Sequence, residues 1–125
     1  MSLHVLLVDD DKLVISATSR MLRIRGYAVT TAANGQEALD ALSRVSVDVL
    51  LSDLWMPVMD GWRLLEIARD RHPELPVILF SGLHFPEQEA RAKELGAVAF
   101  LAKPLSPDSL RRMLERIAGR SADES

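Results

Sequence analysis

The residues able to do chemistry in this sequence are a few carboxylates, one hydroxyl and one lysine, and each closes a short apolar run. Asp9, Asp10 and Asp11 follow one run, Asp53 a second, Ser81 a third and Lys103 a fourth. Clustered carboxylates repel and resist ionising together unless a cation sits among them. The chain has no cysteine, and none of its three histidines adjoins these acids, so a hard, oxygen-seeking ion such as Mg²⁺ is the natural occupant. A carboxylate can also act as a nucleophile and take a phosphoryl group as an acyl phosphate. Such a transfer needs the charge on the moving oxygens neutralised and the geometry held. Mg²⁺, the Lys103 ammonium and the Ser81 hydroxyl can share that task.

These side chains meet only if the elements carrying them end side by side. His4 to Val8, Tyr27 to Ala32, Val47 to Ser52, Val77 to Phe80 and Ala97 to Ala102 read as five strands, mostly continuous apolar runs suited to a sheet buried on both faces. Helix-period segments lie between and after them. Lys12 to Arg25 places Val14, Thr18, Met21 and Leu22 on one face and stops at Gly26. Asn34, with Glu37 three residues on, is a capping-box start for a helix burying Ala38, Leu39, Ala41 and Leu42. A turn-rich loop, Met56 to Gly61, leads into Trp62 to Arg71. Pro86 opens a short helix with Glu87 and Glu89 at its positive end, and Gly96 stops it. Ser106 caps the last helix, Pro107 takes its first turn, and Leu110, Met113, Leu114 and Ile117 form its buried stripe.

Strands alternating with helices in this way predict an α/β fold, a single doubly wound (βα)5 domain whose right-handed crossovers give a parallel five-stranded sheet. In such sheets ligands bind beyond the carboxyl ends of the strands. Asp9, Asp10, Asp53, Ser81 and Lys103 all stand at those ends.

Val8-Asp9-Asp10, then Asp53 with Met56-Pro57 and Asp60-Gly61, then Ser81-Gly82, then Lys103-Pro104, in that order, resemble the receiver domain of two-component response regulators over residues 4 to 119. The resemblance implies the flavodoxin-like strand order 2-1-3-4-5 and a cis Lys103-Pro104 bond. It implies phosphorylation of Asp53 by a histidine kinase or a histidine phosphotransfer protein, direct Mg²⁺ binding by Asp10, and a role for Asp9 largely through metal-bound water. The Trp55 carbonyl corresponds to the third protein ligand of the metal beside Asp53. Ser81 corresponds to the hydroxyl that follows the phosphoryl group, Lys103 to the lysine that pairs with it, and Phe100 to the aromatic switch residue. The domain is then not an enzyme turning over a free substrate; it catalyses its own phosphorylation and slow dephosphorylation, and signals to an output or partner. A second copy of the chain is one partner the face of the fourth helix, fifth strand and fifth helix can take.

Plainer roles stand beside these. Asp11 suits a helix cap, Asp60-Gly61 a turn, and Phe100 an ordinary core position. His4, His72 and His84 are scattered singly and read as surface residues. Arg111, Arg112, Arg116 and Arg120 make the last helix basic on its outer side, either a solvated face or a docking surface. Three rival functions are weaker. A phosphatase of the haloacid dehalogenase type lacks the small or hydroxyl residue expected after its paired acids, since Lys12 and Leu13 stand there. A flavin module of the same fold would want a Ser/Thr/Gly-rich loop where the acids lie. A receiver-like domain that no longer takes phosphate would not keep all five polar residues.

Two departures from the commoner polar choices of such sites bear on phosphoryl lifetime. Trp55 stands two residues after Asp53 and Leu83 two after Ser81, where large apolar groups would misplace the hydrolytic water. A long-lived aspartyl phosphate is the expectation.

Length and composition fit the same picture. The 125 residues suffice for one core, and the 48% apolar and 26% charged fractions are ordinary for a globular domain. A net charge of −3 gives no footprint for general nucleic-acid binding. No apolar run approaches the ~20 residues of a membrane span, and the N-terminus lacks a signal-peptide pattern. A cytoplasmic location is expected. Residues 120–125 read as a polar tail or the stump of a linker.

Overall fold

The computed structural model describes residues 3–83 and 85–124, with side chains as far as residue 119. Five strands and five helices alternate among them: β1 (His4–Val8), α1 (Lys12–Ile24), β2 (Ala28–Ala32), α2 (Gly35–Arg44), β3 (Val49–Asp53), α3 (Gly61–Arg71), β4 (Val77–Ser81), α4 (Pro86–Glu94), β5 (Ala99–Ala102) and α5 (Pro107–Glu124). All strands are parallel, in the order β2-β1-β3-β4-β5 expected from the resemblance. The chain is an α/β fold of the doubly wound (βα)5 kind.

Side chains alternate across each strand, and that period sorts the core into two layers. Val5 and Leu7 of β1, Val49 and Leu51 of β3, and Ile78 and Phe80 of β4 pack with Leu22 of α1 and Leu110, Leu114 and Ile117 of α5. Leu6, Val8, Leu50 and Leu79 turn the other way, onto Ala38 and Leu42 of α2, Leu64 and Leu65 of α3, and Ala92 of α4. The three central strands are buried along nearly all their length, which is why they are nearly uniformly apolar.

Helix starts follow the side chains read as caps. Asp11 accepts from the Leu13 and Val14 amides, Asn34 from the Glu37 amide at 2.9 Å, and Asp60 from the Arg63 amide at 2.9 Å. Glu37 reaches back to the Ala33 amide, completing a box displaced by one residue. Gly26 and Gly96 end α1 and α4 at φ of 94° and 99°, the left-handed conformation that favours glycine.

Element ends differ from expectation by a residue or two. Strand β3 runs through Asp53 and β4 through Ser81, so both polar residues sit on the sheet itself. Strand β5 begins only at Ala99. Thr18 and Leu22 are buried on α1, whereas Val14, Met21 and, on α5, Met113 are only half-buried. Helix α5 continues past Gly119 to Glu124, through much of the segment read as a tail, with no proline to interrupt it. Ser125 and the side chains of 120–124 lie outside the described residues, as does His84. His4 is not a free surface residue: it is half-buried in β1, its Nε2 2.7 Å from the Thr30 hydroxyl of β2, a neighbour set by strand pairing that sequence alone does not fix.

Candidate functional site

The central strands β1, β3 and β4 with β5 deliver the predicted residues to one end of the sheet. Asp9 follows β1 directly; its amide donates to the Ala32 carbonyl at the end of β2, and one carboxylate oxygen accepts the Asp11 amide at 2.9 Å. Asp53 ends β3 one strand away, and its Oδ1 accepts the Leu54 amide at 2.9 Å. Ser81 ends β4 and is fully buried; its Oγ accepts the Leu83 amide at 3.1 Å. Lys103 follows β5 and is tied to β4 through its amide, which donates to the Ser81 carbonyl at 2.8 Å. The Lys103-Pro104 bond is cis.

The carboxylates of Asp9, Asp10 and Asp53 converge, with one oxygen of each within 4.8 Å of the others. Asp9 and Asp53 are buried and Asp10 is exposed, so the cluster has a closed side and an open one. The Lys103 ammonium lies 2.9 Å from Asp9 Oδ2 and 3.3 Å from Asp53 Oδ1. The contact with Asp9 is one of charge: Oδ2 is buried and takes no hydrogen bond of good geometry. One cation against three carboxylates leaves the cluster short of positive charge. An oxygen-only donor set with an open side suits Mg²⁺, so these residues fit the ion.

Titration follows from this packing. Burial, and then the Asp9 charge, raise the Asp53 pKa from 3.8 to about 6, against the pull of Lys103 and the Leu54 amide. Burial works to lower the Lys103 pKa, but contact with Asp9 and the charges of Asp53 and Asp9 outweigh it, and the pKa is raised.

The chain matches the model of the response regulator receiver domain over residues 5–115. It belongs to that family. Among curated relatives, the DNA-binding transcriptional regulator NtrC of Escherichia coli K12 is 40% identical over 112 residues, 90% of this chain but 24% of the relative. The two-component response regulator ORR6 of Oryza sativa subsp. japonica is 34% identical over 120 residues, 92% of this chain and 71% of the relative. The receiver therefore spans about a quarter of the length of its NtrC relatives. Among solved structures, the Francisella response regulator 1452 receiver domain superposes with a TM-score of 0.90 at 32% identity, covering 96% of this chain and 99% of that one. Chemotaxis protein CheY4 of Vibrio cholerae gives 0.86 at 34% identity, covering 94% and 99%. Receiver domains of this kind are modules of two-component signalling rather than classical enzymes. Among the described residues, no helix is long and apolar enough to cross a membrane.

The other positions singled out from the sequence fall as follows. Trp55 lies in the β3–α3 loop two residues past Asp53, its side chain half exposed, and Leu83 is 61% exposed in the β4–α4 loop. Phe100 is buried on β5 in the same layer as Ala92. Two contributors escaped the sequence reading. Phe80, read only as strand core, puts its ring 5.2 Å from the Lys103 ammonium, beneath the site. Gly61, read as part of a turn, presses its backbone against the end of β3, just past Asp53: its amide donates to the Leu54 carbonyl at 2.7 Å. The available signal was its position directly after a capping aspartate.

Proposed function

We propose that this receiver takes a phosphoryl group from a phosphohistidine onto Asp53, with Mg²⁺ held by Asp9, Asp10, Asp53 and the Trp55 carbonyl. The observation carrying this is the Lys103 ammonium bridging Asp9 and Asp53 inside a three-carboxylate cluster. An Asp53 oxygen attacks phosphorus as the phosphorus–nitrogen bond of the donor breaks, and that electron pair stays on the imidazole nitrogen. Mg²⁺, when bound, neutralises charge on the carboxylates and the moving phosphoryl oxygens. Lys103 supplies a second positive group, positioned by its contacts with both acids and needing no large movement. Asp53 must be ionised to attack, and its pKa near 6 keeps it largely so at neutral pH.

The phosphorylated state reaches the surface through Ser81 and Phe100. Ser81 Oγ now accepts the Leu83 amide, and turning toward a phosphoryl oxygen reworks that contact and with it the β4–α4 loop. Space beside Ser81 then lets Phe100, already buried on β5, repack, biasing a two-state equilibrium of α4, β5 and α5. The donor is a histidine kinase or a histidine phosphotransfer protein in the cytoplasm. The face of α4, β5 and α5 is where a second copy or an output element docks. This domain makes no direct contact with nucleic acid.

Incubating the chain with Mg²⁺ and a small phosphodonor such as phosphoramidate, then measuring intact mass, tests the reading. A single phosphate adduct that depends on Mg²⁺ and vanishes in Asp53→Asn is expected. An adduct that persists in Asp53→Asn overturns it.

A further inference from the structure

Lys103 reaches the acid cluster on a flexible stem, and its ammonium is held from more than one side. The carboxylates hold it through Asp9 Oδ2 at 2.9 Å and Asp53 Oδ1 at 3.3 Å. The other contact is with the ring of Phe80, whose centroid lies 5.2 Å from the ammonium nitrogen. A phenyl face is the negative side of the ring quadrupole and attracts a cation at this distance, more strongly where water is largely excluded. The Lys103 side chain keeps only 21% of its surface exposed, so the contact is largely shielded.

Strand pairing puts the ring there. Phe80 is the register partner of Asp53 on β3 and of Leu101 on β5. Lys103 follows two residues after Leu101, and its amide is fixed to the Ser81 carbonyl at 2.8 Å. Phe80 is fully buried, in the core layer that holds Leu51, Ile78, Leu110 and Leu114. It is therefore a rigid surface on which a flexible side chain rests.

These contacts respond differently to a second cation. Mg²⁺ among the carboxylates neutralises them and repels the ammonium, so the hold of Asp9 and Asp53 on Lys103 weakens as the site becomes ready for a phosphoryl group. The quadrupole of a hydrocarbon ring is not neutralised in this way. Its attraction persists, where an unheld lysine would swing toward solvent and lose alignment.

We propose that Phe80 is a positioning residue for phosphoryl transfer, its ring keeping the Lys103 ammonium at the site when Mg²⁺ is bound. The inference rests on the role proposed above for Lys103 and deepens it. Phe80 itself touches no phosphoryl oxygen; it acts through the lysine.

The test separates the electron density of the ring from its volume. Phe80→Leu alone does not, since it also removes core packing. Site-specific replacement of Phe80 by mono-, di- and trifluorinated phenylalanine keeps the ring shape and draws electron density from its face step by step. Phosphorylation by phosphoramidate with Mg²⁺ should slow at each step, about fivefold over the series, as for loss of a partly desolvated cation–ring contact. In NMR spectra the Lys103 Hε protons should be shifted upfield by the ring in wild type, with and without Mg²⁺, and the shift should be lost in Phe80→Leu. Equal rates across the fluorinated series make the ring ordinary core and overturn the proposal, as does an Hε shift that vanishes when Mg²⁺ is added. Wild type that takes no phosphate counts instead against the proposed function, and the Hε shift still decides whether the ring holds the ammonium.

Discussion

Gly61 is backed directly onto Asp53: a Cβ at Gly61 would stand 2.6 Å from the Asp53 carbonyl oxygen and 2.8 Å from Leu54 Cα. Both are backbone atoms of the segment carrying the nucleophile, so neither yields without moving it. Gly61 is thus required for close approach, not for an unusual dihedral.

Gly61→Ala should therefore cost about 2 kcal/mol of stability, a typical overpacking penalty, and should slow phosphorylation by displacing Asp53. Gly82→Ala is the control, because a Cβ there meets nothing within 4 Å. It should change stability by less than about 0.5 kcal/mol. Chemical denaturation of both variants checks the difference, and equal midpoints would show that β3 gives way freely.

The raised Asp53 pKa makes a prediction about pH. A carboxyl whose folded pKa, about 6, exceeds its unfolded value of 3.8 binds protons more tightly when folded. Its contribution to stability is then full below pH 3.8, declines as pH rises through about 6, and is gone above it. The loss amounts to no more than about 3 kcal/mol, at about 1.4 kcal/mol for each tenfold change in proton affinity. In metal-free buffer, Asp53→Asn should be more stable than wild type at about pH 7.5 and equal to it near about pH 3.5. Adding Mg²⁺ at the higher pH should raise the wild-type Tm more than that of Asp53→Asn. A Tm difference that does not vary with pH would contradict the attribution of the raised pKa to burial and Asp9.

How much of this was legible beforehand depends on what kind of contact carries it. Strand ends are abrupt in this sequence, Val8 to Asp9 and Phe80 to Ser81, so the convergence of acids, hydroxyl and lysine follows once a parallel sheet is granted. Caps were equally readable at Asp11 and Asn34, because their partners lie within four residues. The unread features depend on distances across the fold. Nothing local in Phe80 tells that the Lys103 ammonium lies over its ring. His4 reads as a surface residue for the same reason, since Thr30 reaches it only through the pairing of β1 with β2. Gly61 looked like any turn glycine until β3 was set against it.

Lys103 competes with the metal for the same carboxylates. Lys103→Met removes a cation from between Asp9 and Asp53, which leaves both acids freer for Mg²⁺ and less well matched to a phosphoryl group. Calorimetry should find Mg²⁺ bound several-fold more tightly by the variant, while phosphorylation falls on the order of a hundredfold, as for loss of one pre-positioned electrostatic group. Weaker Mg²⁺ binding by Lys103→Met would mean that the ammonium organises the acids rather than opposing the ion.

The lifetime of the phosphorylated state should be set by two half-exposed side chains, those of Trp55 and Leu83. Trp55 and Leu83 follow Asp53 and Ser81 by two residues each, in adjacent loops above β3 and β4, and both keep at least half of their surface open to solvent. Large apolar groups at the mouth of the site give an attacking water no hydrogen bond to hold it in line with phosphorus, and such alignment is most of what hydrolysis here requires. Phosphate release after removal of the donor should accordingly be slow, and Trp55→Asn combined with Leu83→Glu should accelerate it on the order of tenfold. Both positions are exposed, so the substitutions disturb little of the core, and an unchanged Tm should accompany the faster release. A double variant that loses phosphate no faster than wild type would place the barrier to water elsewhere, in the buried geometry of Asp53 and Lys103 themselves.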